Sequence, residues 1–218
     1  MSRIGIFGGT FDPIHQGHMV IAEQVAETLN LSCLIFVPGG VPPHKPATSV
    51  KASPEERFEM VEAAIGSNDK FMVDRVEIDA ERAMYSAETV PLIKERHEGN
   101  EWFFVSGADE VSDLLSWKEP DELLKEAAMV AATRPGYDIS NLDHLEKELE
   151  NFDRIVPVEC TRLDISATSI RRRLVEGKSI RYLVPDEVYE IIYDRGLYGA
   201  RREGSGERER RLSGRQEA

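Results

Sequence analysis

The sequence predicts a doubly wound α/β domain, a parallel sheet with helices on both faces, that ends in a small helical C-terminal part. Short apolar runs typical of buried strands alternate with helical patterns along most of the chain. This spacing indicates crossover units, because parallel neighbours need a connection long enough for a helix. Two glycines and a helical pattern follow the first apolar run, and at such a carboxyl edge of a parallel sheet ligands bind.

Six segments are predicted as strands because their apolar residues are bounded by turn residues. They are Arg3–Phe7, Cys33–Val37, Phe71–Ile78, Trp102–Val105, Ala128–Ala132 and Arg154–Val158. Near-continuous apolar runs are typical of strands that helices cover on both faces. We therefore expect one parallel sheet between two helical layers.

Helical periods occupy the connections between these strands. The predicted helices are Gly17–Leu29, Pro54–Ile65, Ser86–Arg96, Asp109–Leu115 with Pro120–Glu126, Leu142–Asn151, Thr168–Glu176 and Pro185–Tyr193. The second has a well-formed start, because Ser53 can cap it and Pro54 suits its first position. We expect a single domain over residues 1–199, with its helical C-terminal part over about residues 165–198.

The composition excludes several classes of protein. The chain has 218 residues, 41% of them hydrophobic, enough for a core of its own. Its formal net charge of −13 repels phosphate backbones, so we expect no nucleic-acid partner. No apolar run reaches the roughly 18 residues of a membrane span, and residues 200–218, where glutamates and arginines interleave, are predicted to be disordered.

The cysteine count and the start of the chain indicate a cytoplasmic protein. Cys33 and Cys160 are too few for a disulfide framework. The first residues lack the long apolar stretch and cleavage site of a signal peptide. The oligomeric state stays open, a homo-oligomer included.

The richest chemical motif directly follows the first predicted strand. It reads Gly8-Gly9-Thr10-Phe11-Asp12-Pro13-Ile14-His15-Gln16-Gly17-His18. Glycines let the backbone turn tightly and approach a ligand, and the following helix directs N–H groups and its positive dipole end there. His15 and His18 are three residues apart, so both side chains can reach one side of the helix. The pattern indicates a polyphosphate site; zinc is the other interpretation, disfavoured because no third ligand is near in sequence.

This stretch resembles the signature of the HxGH nucleotidylyltransferases, and specifically of the bacterial nicotinate-nucleotide adenylyltransferases. The resemblance extends over nearly the whole chain up to Tyr198. It implies that His15 and His18 are catalytic, and that ATP is bound by Gly8, Gly9, Thr10, Phe11 and His18.

A second element, Ile165-Ser166-Ala167-Thr168-Ser169-Ile170-Arg171, resembles the ISSTxIR motif of that family. Ser166 or Thr168 can cap a helix there, which makes a second anion site. Arg171 offers phosphate a planar, permanently charged fork. The resemblance implies ATP binding by Ile165, Ser166, Thr168 and a catalytic Arg171, against the alternative of an ordinary capped helix with exposed arginines.

Three further segments extend the resemblance. Lys45, in Val41-Pro42-Pro43-His44-Lys45, is implied as a catalytic residue near the ATP phosphates, against the alternative of a solvent-facing lysine in a mobile loop. Gly107 and Asp109 resemble the start of the GxDxxxxLxxW pattern and are implied in ATP binding, whereas Asp109 is also a good helix N-cap. Trp117, which could stack on a pyridine ring, and Arg134, in an RPGY turn, are implied on the mononucleotide side.

One stretch departs from the family pattern. Ser86 is implied in mononucleotide binding, but Ala87 stands where the family usually has threonine. Related adenylyltransferases that act on phosphopantetheine match less well, because they usually carry threonine at the position of His15 and are shorter.

The resemblance implies a function in NAD biosynthesis: transfer of an adenylyl group from ATP to nicotinate mononucleotide. The expected partners are ATP and nicotinate mononucleotide, with Mg²⁺ carried on the phosphates rather than at a protein metal site. Two alternatives stay open at this point. One is an enzyme that uses nicotinamide mononucleotide, and the other is a noncatalytic nucleotide-binding sensor with the same pocket.

Overall fold

The structure is a computed structural model that describes residues 2–41 and 50–201. Lys45 and most of the predicted tail, residues 202–218, lie outside the described residues.

Six parallel strands form one sheet in the order β3-β2-β1-β4-β5-β6. They are β1 (Arg3–Gly9), β2 (Cys33–Pro38), β3 (Phe71–Val73), β4 (Glu101–Gly107), β5 (Ala128–Thr133) and β6 (Ile155–Glu159). The chain winds outwards from β1 in one direction and from β4 in the other, so the strand order reverses between them. The predicted doubly wound parallel sheet is confirmed.

Nine α-helices of the described residues cover the two faces of the sheet. They are α1 (Gln16–Thr28), α2 (Pro54–Ile65), α3 (Val76–Asp79), α4 (Ser86–Arg96), α5 (Ala108–Ser112), α6 (Pro120–Glu126), α7 (Asp143–Glu146), α8 (Ala167–Val175) and α9 (Asp186–Asp194). Helices α1, α2, α8 and α9 contribute to one hydrophobic core, and α3 to α7 contribute to the other. Within residues 2–41 and 50–201, no helix is long and apolar enough to cross a membrane.

Alternate strand residues supply the two cores. Phe7 in β1 belongs to the core under α1 and α2, whereas Ile4 and Ile6 belong to the opposite core. In β4, Phe103 likewise belongs to the first core and Phe104 to the second, because successive strand residues point to opposite faces of the sheet. Both faces are therefore apolar, which explains the near-continuous apolar runs in the sequence.

The third predicted strand is wrong in its second half. The strand ends at Val73, and Val76–Asp79 forms a short helix instead. The buried Asp74 carboxylate accepts the Val76 N–H at 2.8 Å and is also held by Arg96 and His97, at 2.8 and 2.9 Å. This turn at Asp74 draws the backbone away from the sheet.

Two predicted helices are also interrupted. The predicted helix Leu142–Asn151 is α-helical only over Asp143–Glu146, because the Asp121 carboxylate accepts the N–H groups of Glu150 and Asn151 from outside, at 3.0 and 3.2 Å. The predicted helix Asp109–Leu115 is divided into α5 and a 3₁₀ turn over Leu114–Ser116.

Candidate active site

The carboxyl end of β1 forms the floor of the site. A side chain at Gly9 would put its Cβ 2.7 Å from the Phe11 ring, and one at Gly8 would lie 3.1 Å from Phe104. Phe11 itself is buried with φ +48°, in the left-handed region. The glycines are thus required by packing against aromatic rings as well as by the turn.

The two histidines of the motif are stacked on each other. Their ring centroids are 3.7 Å apart and the planes differ by 19°. The backbone N–H of His15 donates to Nδ1 of His18 at 3.2 Å, so the neutral His18 ring carries its proton on Nε2. His15 Nδ1 is buried and has no hydrogen-bond partner among the described residues.

Burial keeps both imidazoles neutral. It lowers the pKa of His15 from 6.5 to about 4, against a smaller opposing effect of its own backbone. Burial, and then repulsion from His15, hold the pKa of His18 well below the ordinary value. At neutral pH the pair therefore offers N–H donors rather than two positive charges.

The start of α1 offers fewer donors than the sequence indicates. The N–H of Gln16, at the first position of α1, donates to the carbonyl of Leu183 in the C-terminal part at 3.0 Å. The N–H of His18 donates to the His15 carbonyl at 2.9 Å. The imidazoles, rather than a set of free backbone N–H groups, are the main donors here.

Asp12 is the centre of a buried polar network. Its side chain, 3% exposed, accepts the N–H groups of Lys51 and Ala52 at 3.0 Å each and the hydroxyl of Tyr198 at 2.9 Å. Arg171 Nη1 donates to the Asp12 carbonyl at 2.6 Å and lies 3.5 Å from its carboxylate. Asp12 therefore joins the first motif to the segment before α2, to α8 and to the turn after α9.

The second motif forms the start of α8. The Ser166 hydroxyl caps the helix by accepting the Ser169 N–H at 3.2 Å. The N–H groups of Ala167 and Thr168 have no hydrogen-bond partner in the described parts of the chain. Arg171 Nη2 lies 3.2 Å from the Thr168 hydroxyl, so charge and free N–H groups occur together, as an anion site requires.

Asp109 and Arg134 form an exposed ion pair, with Arg134 Nη2 at 3.0 Å from the Asp109 carboxylate. Gly107 is the N-cap of α5, one residue before its first turn. Asp109 is therefore not the N-cap that the sequence left open. The predicted ribose contact of Asp109 stays a prediction.

Two adjoining pockets meet at the end of β1. The larger, of about 830 Å³, lies over the histidine pair and α8, and the smaller, of about 400 Å³, lies towards α4. Both are lined by Gly8, Gly9, Thr10 and Glu110. Of the predicted residues, the larger pocket collects Phe11, His15, His18, Gly107, Asp109, Arg134, Ile165, Ser166, Thr168 and Arg171.

The smaller pocket contains two of the three residues predicted for the mononucleotide. Ser86 and Trp117 line it, and the Trp117 ring stands edge-on to Phe104 with 6.1 Å between centroids. Arg134 does not line this pocket but lies in the larger one. Its role in mononucleotide binding stays a prediction.

Sequence reasoning missed a buried arginine and a half-buried glutamate beside the site. Arg57, 1% exposed, donates to the carbonyls of Thr10 and Gly40 at 2.8 and 2.9 Å. The Glu77 carboxylate accepts the Thr89 hydroxyl at 2.7 Å, and burial raises its pKa against the effects of Thr89, Arg57 and Gly40. The sequence did contain a sign of the buried arginine. Arg57 has the helical spacing that places it on the apolar face of α2 with Met60, Val61 and Ala64.

Comparisons with known proteins agree with this geometry. The cytidylyltransferase-like family model matches residues 6–173. A protein of Rubrobacter xylanophilus named "Probable nicotinate-nucleotide adenylyltransferase" is 67% identical over 91% of this chain and 92% of its own length. A protein of Moorella thermoacetica with the same name is 44% identical over 93% of this chain and 94% of its own.

A solved structure shares the fold. The nicotinic acid mononucleotide adenylyltransferase of Plasmodium falciparum, in complex with NaAD, superposes with a TM-score of 0.74. It covers 93% of this chain and 100% of its own, at 20% identity. From the family model and the identity to its bacterial relatives, the chain belongs to the nicotinate-nucleotide adenylyltransferases of the cytidylyltransferase-like family.

Proposed function

We propose that this chain transfers the adenylyl group of ATP to nicotinate mononucleotide, giving nicotinate adenine dinucleotide and pyrophosphate in NAD biosynthesis. One observation carries the proposal: two pockets meet at Gly8, Gly9 and Thr10, beside the stacked histidines. A reaction between two nucleotides needs two adjoining sites, and the larger pocket has room for ATP. The names of the bacterial relatives support the choice of substrates.

The proposed reaction is a direct phosphoryl displacement. A 5′-phosphate oxygen of the mononucleotide forms a bond to the α-phosphorus of ATP, while the bond from that phosphorus to the oxygen of pyrophosphate breaks. The attacking phosphate is already an anion, so no protein nucleophile is needed. Catalysis then depends on positioning and on stabilising charge.

The histidine pair is proposed to bind phosphate oxygens between the two pockets. His18 offers its Nε2–H, because its Nδ1 already accepts the His15 N–H. His15 also lines the larger pocket, and its Nδ1 has no hydrogen-bond partner among the described residues. Neutral N–H donors can stabilise negative charge as it shifts between phosphate oxygens, and the imidazoles keep the same protonation state throughout.

The leaving pyrophosphate is proposed to lie at the start of α8. Arg171 supplies a fixed charge there, held by the Asp12 carbonyl at 2.6 Å. Lys45 is proposed for the same phosphates and lies outside the described residues. The other proposed ATP contacts are Gly8, Gly9, Thr10, Phe11, Gly107, Asp109, Ile165, Ser166 and Thr168, and those of the mononucleotide are Ser86, Trp117 and Arg134.

Mg²⁺ is proposed to enter as its complex with ATP. In the described residues, no group of three or more His, Cys, Asp or Glu side chains could hold a metal ion. The Asp12 carboxylate is already used by two N–H groups and a hydroxyl. This donor set fits an ion that keeps its waters and binds mainly to phosphates, where it neutralises their charge.

A turnover assay tests the proposal. Purified protein mixed with ATP, Mg²⁺ and nicotinate mononucleotide should release pyrophosphate in a one-to-one ratio with a dinucleotide identified by mass. ATP alone and the mononucleotide alone are the controls. Binding of both nucleotides without pyrophosphate release would favour a noncatalytic sensor, and conversion of nicotinamide mononucleotide alone would favour the other enzyme.

A further inference from the structure

The smaller pocket has two chemically different ends. Gly8, Gly9 and Thr10 line both pockets, so the phosphate that attacks ATP must lie at this end. Tyr85 and Lys118 line the smaller pocket only, together with Trp117. If the phosphate lies at the shared end, the pyridine ring lies among these three residues.

The Lys118 ammonium is held at the ring end of the pocket. Its Nζ lies 4.8 Å from the centroid of the Tyr85 ring, within the range of a cation–π interaction. Lys118 belongs to no ion pair among residues 2–41 and 50–201. Its charge is therefore positioned by an aromatic ring and available to an anion in the pocket.

The nearby Glu88 carboxylate interacts mainly with groups other than Lys118. Glu88 is paired with Arg82 at 3.2 Å and accepts the Tyr85 N–H at 3.1 Å. Its pKa is lowered chiefly by Arg82 and then by Tyr85, with Lys118 as the smallest contribution. Glu88 therefore holds Tyr85 in place and interacts only weakly with the ammonium of Lys118.

The remaining charges of the smaller pocket are negative. Its described lining includes Glu77, Glu110 and Asp113, and Lys118 is the single cation in that lining. A neutral amide on the pyridine ring gains little from a cation, whereas a carboxylate needs one to enter such a pocket. The smaller pocket therefore distinguishes nicotinate mononucleotide from nicotinamide mononucleotide by charge rather than by shape.

We infer that Lys118 is a specificity-determining residue, whose ammonium pairs with the carboxylate of the nicotinate ring and favours the acid over the amide. The inference rests on the proposed function. Lys118 is exposed, so its attraction is screened by solvent, and a preference of about tenfold is the expected size.

The variant Lys118→Gln tests this by removing the charge from a side chain of similar reach. We expect kcat/KM for nicotinate mononucleotide to fall about tenfold, equal to about 1.4 kcal/mol. For nicotinamide mononucleotide the change should stay within about twofold. Lys118→Arg should retain most of the preference, and added salt should weaken it more in the wild type than in Lys118→Gln.

Lys147→Gln is the matched control, because it removes one charge from an exposed residue that lines neither pocket. An equal loss for both mononucleotides would place Lys118 at the phosphate or in pocket shape, and would overturn the inference. An unchanged preference would also overturn it, by assigning the carboxylate to backbone donors. If the wild type converts neither mononucleotide, the proposed function fails first.

Discussion

The burial of His15 makes a quantitative prediction about the stability of the protein in acid. His15 is 6% exposed and its pKa in the folded protein is about 4, against 6.5 in an unfolded chain. Between pH 6.5 and pH 4, His15 is mostly protonated in the unfolded chain but mostly neutral in the folded protein. The contribution of this residue to stability is therefore complete above pH 6.5 and is lost as the pH falls towards 4.

The size of this loss follows from the two pKa values. A change from 6.5 to about 4, at about 1.4 kcal/mol per pH unit, corresponds to about 3 kcal/mol of unfolding free energy between pH 7 and pH 4. That is a large part of the 5–15 kcal/mol that is usual for a domain. His18 acts in the same direction, because burial also lowers its pKa.

The assay compares the wild type with His15→Gln, which cannot titrate at this position. Urea unfolding of both proteins at several values between pH 7 and pH 4 gives the difference between their free energies of unfolding. Groups that do not interact with His15 titrate alike in both proteins, so their contributions cancel in this difference; His18, whose pKa His15 also lowers, is the exception. We expect the advantage of the wild type to shrink by about 3 kcal/mol on acidification. A difference that does not change with pH, or an NMR titration of His15 near 6.5, would refute the reasoning.

Three further predictions concern the site. His18→Ala should lower kcat at least about 10²-fold, because it removes one transition-state donor; near wild-type turnover of a folded variant would contradict this. Arg171→Lys should raise KM for ATP more than KM for the mononucleotide, since lysine lacks the two-pronged fork, and equal increases would place Arg171 elsewhere. Tyr198→Phe removes a hydrogen bond of 2.9 Å to the Asp12 carboxylate and should lower the free energy of unfolding by about 2 kcal/mol, measured in urea; an unchanged midpoint would exclude the bond as a stabilising contact.

The parts of the site that lie close together in sequence could be predicted. Gly8 and Gly9 end β1, and α1 starts directly after His15. A strand, a tight turn and a helix start depend on local backbone preferences. The stacking of His15 on His18 follows from their spacing of three residues. The start of α2 was predictable for the same reason, since Ser53 and Glu56 form a capping box within one turn.

Predictions failed where a distant side chain competes with a local pattern. The apolar residues after Val73 continue the strand pattern, but Asp74 is buried against Arg96 and His97 of a later element. The helical period over residues 142–151 is broken by Asp121. In both cases a buried or half-buried carboxylate takes backbone N–H groups from the element that the pattern indicates.

The sequence by itself determined the doubly wound fold, the order of its layers and the two motifs that meet at the end of β1, because periodicity and turn chemistry are local properties. Only the tertiary structure decided which charges are buried there. Asp12 meets Ala52 across 40 positions and Tyr198 across 186, and Arg171 across 159. A carboxylate removed from water must find donors wherever the fold brings them, and no periodic pattern records such a partner. The separate pocket at Lys118 and Tyr85 was decided in the same way, since α4 and the turn after α5 meet only when the sheet has formed.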